Sequence, residues 1–261
     1  MYIFLIISII ILCIIFYNLS SNVISKDNPP VEYIIPRKIF QLVPDKNSIH
    51  PYLKQNINNI KTLNPNWKYT LYDDEDIVNY ISRYYPQYLN VYLKINPKYG
   101  AARADFFRYL LMYKEGGVYL DIKSSMSRPL DRIIYETDEY LLLHWEGKPL
   151  AKELNNIYGE YQQWNIICKP KHPFLENVIN NVVKNIENYD YIRDGYGKPS
   201  VLRLTGPYIY SKSIFPLLQK NKYTLYTDNT KVGLVYNATP TDHTKIIGTV
   251  HYSELKEPII L

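Results

Sequence analysis

The run from Ala101 to Ile122 constrains the fold more than any other part of this chain. Ala102, Phe106, Tyr109, Leu110 and Tyr113 recur at helical spacing, so Ala101–Glu115 reads as a helix with one buried face. Gly116-Gly117 stops it, and Val118-Tyr119-Leu120-Asp121-Ile122 follows at once as a strand. The flanking sequence alternates in the same way. Strands are expected at Lys38–Val43, Trp67–Tyr72, Glu139–His144, Trp164–Cys168, Tyr223–Tyr226 and Val232–Tyr236. Helices are expected at Pro51–Leu63, Asp76–Tyr84, Pro173–Glu187 and Tyr208–Lys220, and Asp190–Ser200 reads as a loop. The cluster Asp73-Asp74-Glu75-Asp76 suits a helix N-terminus better than a metal site. Alternating strands and helices favour an α/β fold with a mostly parallel central sheet.

Composition narrows the class. The 261 residues allow one large domain or two small ones, and 46% hydrophobic with 21% charged residues excludes disorder. Net charge is +5 with the two signs interspersed, so no charge run points to nucleic acid, while a phosphate-bearing small substrate remains compatible. Cys13 and Cys168 form no disulfide framework, and neither has zinc-ligand spacing. His50, His144, His172 and His243 are scattered, and no glycine-rich phosphate loop occurs. Trp67, Trp145 and Trp164 could stack on a base or a sugar, with burial the default. Residues 1–25 carry no charged side chain and suit a transmembrane anchor better than a cleaved signal peptide. Residues 26–36, with Asn28-Pro29-Pro30, read as a short stem, and residues 37–261 as a single domain.

Three residues of the central run carry chemistry. Asp105 and Arg108 are three apart and share a helix side. Asp121 falls at the carboxyl end of the following strand, where open α/β sheets hold ligands. Two carboxylates and a guanidinium can therefore meet at one cleft. A sugar nucleotide needs that mixture: carboxylates accept from hydroxyls, and a cation or metal offsets charge gained by a departing diphosphate. Taken singly, Asp105 and Arg108 would make a surface ion pair worth on the order of a few tenths of a kcal/mol.

The full string weakens that plainer reading. Ala101-Ala102-Arg103-Ala104-Asp105-Phe106-Phe107-Arg108, followed by Gly116-Gly117-Val118-Tyr119-Leu120-Asp121, resembles glycosyltransferase family 32, the group with the sugar-binding DXD motif that includes yeast-type mannosyltransferases. Ile35–Gln41, Asn64–Tyr69, Arg128–Asp131, Lys171–Pro173 and Thr205–Pro207 resemble further family segments. The resemblance implies a GT-A-type fold and transfer of a hexosyl group, such as mannosyl, from a nucleotide-diphosphate sugar to a glycan, glycoprotein or glycolipid, with retention. It implies donor contacts from Asp105, Arg108 and Asp121, with Gln41 near the base and Asn165, Thr205 and Gly206 in the pocket. It also implies a single-pass membrane protein facing a Golgi- or ER-like lumen or its equivalent in a virus-infected cell. The sequon Asn237-Ala238-Thr239 is compatible with a lumenal domain.

One position departs from the pattern. The second acid of the motif, a direct ligand of the family's divalent metal (Mn or Mg), is Lys123 here. Three readings stay open. Lys123 neutralises the diphosphate itself, or Asp121 with other groups such as His251 holds a metal, or the chain is a catalytically inactive membrane-tethered sugar-nucleotide or glycan-binding module.

Overall fold

Gly116 and Gly117 set the geometry of the whole sheet. Gly117 has φ +94°, and a Cβ there would sit 2.6 Å from the Lys38 carbonyl oxygen. At Gly116, with φ +60°, a Cβ would meet Pro170 Cδ at 2.6 Å. Only glycine allows both this left-handed backbone and this approach, so the chain leaves helix α4 (Gly100–Glu115) and enters strand β3 (Gly117–Leu120) directly beside β1 (Lys38–Leu42).

The computed structural model describes residues 33–145, 160–240, 246 and 251–261. After β1 come α1 (Pro51–Leu63), β2 (Lys68–Tyr72), α2 (Asp74–Tyr84) and α3 (Pro86–Lys94). Beyond β3 lie β4 (Ser125–Met126), β5 (Tyr140–Leu143), β6 (Asn165–Cys168), α5 (Pro173–Glu187), α6 (Tyr191–Asp194), α7 (Gly197–Leu204) and α8 (Pro207–Ile214). A 3₁₀ turn at Phe215–Lys220 leads to β7 (Thr224–Tyr226) and β8 (Leu234–Val235). The main sheet has the order β2-β1-β3-β6-β5-β7, and β4 pairs with β8. β1 is parallel to β2 and β3, β5 is parallel to β7, and β6 is antiparallel to both its neighbours. Five strands thus point one way and β6 the other.

Both faces of this sheet are buried, as its near-continuous apolar strands require. Phe40, Tyr119 and Ile166 pack on one side with Phe106, Leu110 and Phe174 of the helices. Ile39, Val118, Leu120 and Ile167 alternate to the other side with Ile60, Trp67 and Leu130. The Asp73 side chain accepts from the Asp76 N–H and Asp76 returns the bond, so the acidic cluster caps α2 as expected. His172 caps α5 in a similar way: its Nδ1 accepts from the Phe174 N–H at 3.2 Å. The His172 ring is fully buried, and burial pulls its pKa down to about 4.

Several boundaries differ from expectation. Asp190–Ser200 is not a loop; it holds α6 and the start of α7, with Gly195 and Gly197 at positive φ between them. The helix expected through Lys220 ends at Ile214, because Pro216 supplies no backbone N–H and crowds the preceding turn. α3 carries only Val91 and Tyr92 as buried residues, too narrow a stripe to mark it in the sequence. The compact unit begins at Tyr33, and Ile35, placed in the stem, is fully buried. The expected membrane anchor at 1–25 lies outside the described residues. Among the described residues, no helix is long and apolar enough to cross a membrane.

Candidate active site

The carboxyl ends of β1, β3 and β5 and the amino end of the reversed strand β6 share one edge of the sheet, and a cleft of about 950 Å³ opens there. Helix α4 supplies one wall through Ala104, Asp105 and Arg108, and α7 and α8 supply another through Lys198, Val201, Gly206 and Pro207. Asp121 follows β3 directly. Its N–H donates to the Trp164 carbonyl at 2.8 Å, and its own carbonyl accepts from Gln41 Nε2 at 3.0 Å and the Ser124 N–H at 2.8 Å. The residue is therefore held through its main chain while its side chain remains 22% exposed.

Arg108 joins the two acids. Its Nη2 lies 3.2 Å from Asp105 Oδ1, and its Nη1 lies 3.2 Å from Asp121 Oδ1. Nη1 also donates to the Gln163 carbonyl at 3.0 Å, and the guanidinium lies 4.8 Å from the centre of the Tyr119 ring. Tyr119 and Asp121 share a sheet face two residues apart, so the Tyr119 hydroxyl donates to Asp121 Oδ1 at 3.0 Å. Arg108 is only 5% exposed. Burial opposes its charge, yet Tyr119, Asp121 and Asp105 together push its pKa up, so it is a permanent cation.

Asp105 is braced on both oxygens. Oδ1 accepts from Gln163 Nε2 at 3.1 Å besides pairing with Arg108, and Oδ2 accepts from Thr205 Oγ1 at 2.9 Å. Burial pushes its pKa up, against the lowering effect of Arg108, Gln163 and Thr205. Asp121 differs: Arg108 and Tyr119 both engage Oδ1, and no partner among the described residues takes Oδ2. Asp121 is thus the acid with a free acceptor facing the cleft, and Asp105 is the acid that anchors the guanidinium.

The other residues singled out from sequence divide into two groups. Lys123, Gly206 and His251 line the cleft with the three charged residues. Gln41, Asn165 and Thr205 lie behind its wall, at 0%, 2% and 0% exposure. Gln41 braces the turn after β3: its Nε2 donates to the Asp121 carbonyl and its Oε1 accepts from the Tyr69 hydroxyl. Asn165 Nδ2 donates to Gln162 Oε1 at 3.3 Å, and Thr205 supports Asp105. Residues missed from sequence are the supports: Tyr119, Gln163, and Tyr109, whose hydroxyl lies 2.6 Å from Gln163 Oε1 and 2.8 Å from the Thr205 carbonyl. Tyr119 was findable from its spacing to Asp121. Gln163 and Tyr109 left no signal, because their roles depend on distant chain segments meeting.

The donor set does not fit a divalent metal. One Asp121 oxygen is committed to Arg108 and Tyr119, and position 123 offers an ammonium, which has no lone pair. His251 lines the cleft, but its Nδ1 lies 2.5 Å from Ser253 Oγ. Among the described residues, no three His, Cys, Asp or Glu side chains converge, and Asp121 Oδ2 has no second carboxylate at position 123 to share an ion with it.

Residues 51–140 match the family model described as the glycosyltransferase sugar-binding region containing the DXD motif. The mannosyl phosphorylinositol ceramide synthase SUR1 of Saccharomyces cerevisiae is 28% identical over 64% of this chain and 38% of its own length. Inositol phosphoceramide mannosyltransferase 1 of Schizosaccharomyces pombe is 28% identical over 66% of this chain and 51% of its own. The chain therefore spans about half or less of the length of these relatives. Among solved structures, the PaToxG glycosyltransferase aligns with a TM-score of 0.48 and 19% identity, over 79% of this chain and 77% of that one. Asp105, Arg108 and Asp121 all lie within the matched stretch, so over residues 51–140 the chain is similar to the glycosyltransferase sugar-binding region that carries the DXD motif.

Proposed function

We propose that the chain is a glycosyltransferase that moves a hexosyl group, mannosyl by the names of its relatives, from a nucleoside-diphosphate sugar to a hydroxyl of a glycan or glycolipid. The compact unit is then one GT-A-type domain, and the apolar run at 1–25 anchors it at the membrane where a glycolipid acceptor is met. The observation that carries the reading is the Arg108 bridge between Asp105 and Asp121 on the wall of a cleft at the sheet's carboxyl edge. A fixed carboxylate with one free oxygen suits a sugar or ribose hydroxyl. Asp121 is the donor contact, and Asp105 and Arg108 position it. Leu42, Val43, Pro44 and Ile77 give one end of the cleft an apolar floor for the base, with Asp74 beside it as a hydroxyl acceptor.

The transfer breaks the bond from the anomeric carbon to the diphosphate and forms one from that carbon to the acceptor oxygen. In the retaining course, the acceptor attacks from the side of the departing group and gives its proton to the leaving phosphate oxygen. The sugar passes through an oxocarbenium-like state. No nucleophile is drawn from Asp105, because both its oxygens already have protein partners. The test incubates the full chain with GDP-mannose or a UDP-hexose and a glycolipid acceptor. Asp121→Asn is expected to lower transfer by about 10²-fold or more with unchanged thermal stability, and proton NMR is expected to find the donor's anomeric configuration in the product. Failure of the wild-type chain to turn over any nucleotide sugar refutes the reading.

A further inference from the structure

Position 123 is where this chain departs from the acid-x-acid pattern, and the structure gives the replacement a defined place. Lys123 lines the cleft in the turn after β3. Its Nζ lies 3.2 Å from the Tyr236 hydroxyl and 4.5 Å from the centre of the Tyr236 ring. Tyr236 is held edge-on by Trp145 at 4.9 Å and Trp164 at 5.4 Å. The main chain is tied down as well: Ser124 Oγ donates to the Tyr236 carbonyl at 2.7 Å, and the Ala238 N–H donates to the Lys123 carbonyl at 2.8 Å. The ammonium is thus ordered before a ligand arrives. Tyr236 uses one of its three N–H donors, and no other partner among the described residues takes the remaining two.

The donors it offers suit an anion. Arg108 is committed to two carboxylates and together with them carries one net negative charge, so it is not the group left to meet a diphosphate. Lys123 has no carboxylate partner among the described residues, and neither has Lys198 across the cleft on α7. A divalent ion placed against this ammonium would meet like charge with no lone pair to bind it. A nucleoside diphosphate meets the opposite: two N–H donors of an ammonium that has no carboxylate partner among the described residues, beside the open oxygen of Asp121. Charge-assisted hydrogen bonds from an ammonium to phosphate oxygens are shorter and about twice as strong as neutral ones.

We infer that the Lys123 ammonium stands in for the divalent metal, so that this chain binds the diphosphate of its donor without a metal ion. The inference rests on the donor reading above and deepens it. It also assigns the Trp145–Tyr236–Trp164 cluster a task, which is to aim that ammonium.

Titration calorimetry on the full chain tests it, with GDP and UDP as probes and guanosine and uridine as controls lacking the diphosphate. In EDTA, at least one diphosphate is expected to bind, with manganese tightening it less than about threefold. Lys123→Ala is expected to weaken the diphosphate about tenfold or more while leaving the nucleoside unchanged. Lys123→Arg should retain binding, and Lys123→Asp should regain it only with manganese present. Binding by the wild type only with manganese overturns the inference and leaves the donor reading standing. So does a Lys123→Ala variant, folded by its melting temperature, that binds diphosphate as tightly as the wild type. Absence of any nucleotide binding with or without manganese overturns both.

Discussion

Replacing Arg108 by Met keeps most of the side chain's length and removes the charge that balances two acids. Asp105 is 3% exposed and Arg108 is 5% exposed, so the change leaves a buried carboxylate without its cation. Breaking a buried pair in this way costs about 3–5 kcal/mol. For a domain of this size that corresponds to a fall in melting temperature of about 10 °C. The pH dependence identifies the cause. Burial already pushes the Asp105 pKa up, and without Arg108 the main opposing influence is gone. A carboxyl whose folded pKa lies above its unfolded value of about 3.9 binds more protons when folded. Its contribution to stability is therefore greatest at low pH and falls as pH rises through the folded pKa, by up to about 1.4 kcal/mol per pH unit. The deficit of Arg108→Met should grow as pH rises above the wild-type folded pKa of Asp105, which is itself raised, and Asp105→Asn in the same background should abolish that growth. Urea unfolding followed by tryptophan fluorescence measures it. A deficit below about 1 kcal/mol, or one that does not change with pH, would refute the view that a buried charge network organises the site.

Two further outcomes concern the scaffold. His172 has a folded pKa of about 4, below the free value of about 6.5, so the unfolded chain binds more protons between them. Stability from this group is present above about pH 6.5 and is lost as pH falls towards 4, about 3 kcal/mol in all. His172→Asn, which keeps a capping acceptor for α5, should remove that slope, and parallel stability curves for the two proteins would contradict it. Gly117→Ala forces a Cβ to 2.6 Å from the Lys38 carbonyl at φ +94°. It should cost about 3 kcal/mol or more in urea unfolding, and a change within about 0.5 kcal/mol would mean that β1 and β3 separate easily.

The parts legible in the sequence are those whose cause is local. Pro51–Leu63 and Pro173–Glu187 form helices at the expected limits, because proline at the start and a strong apolar stripe act within the element itself. The helix to Glu115 and the glycine turn were readable for the same reason, so the acids and the guanidinium could be named from one stretch of chain. The reversal of β6 was not readable: an apolar strand buried on both faces carries no mark of its direction. Nor was the division between cleft lining and support. Gln41, Asn165 and Thr205 are polar residues near the right places, but their burial depends on what other segments lay over them. The aromatic seat of Lys123 joins Trp145, Trp164 and Tyr236 from three separate segments and could be found only in three dimensions.

The glycine pair has one more consequence. Asp105, Arg108 and Asp121 belong to a single helix–turn–strand unit with no slack at the bend, so their mutual spacing is inherited from local backbone geometry. The opposite wall, built from α7 and α8, is tied to this unit at the residue between them, because the Thr205 hydroxyl donates to Asp105 Oδ2 and the Thr205 carbonyl accepts from the Tyr109 hydroxyl. A change on that wall that displaces Thr205 therefore reaches the buried charges directly, and the two walls cannot vary independently at this point.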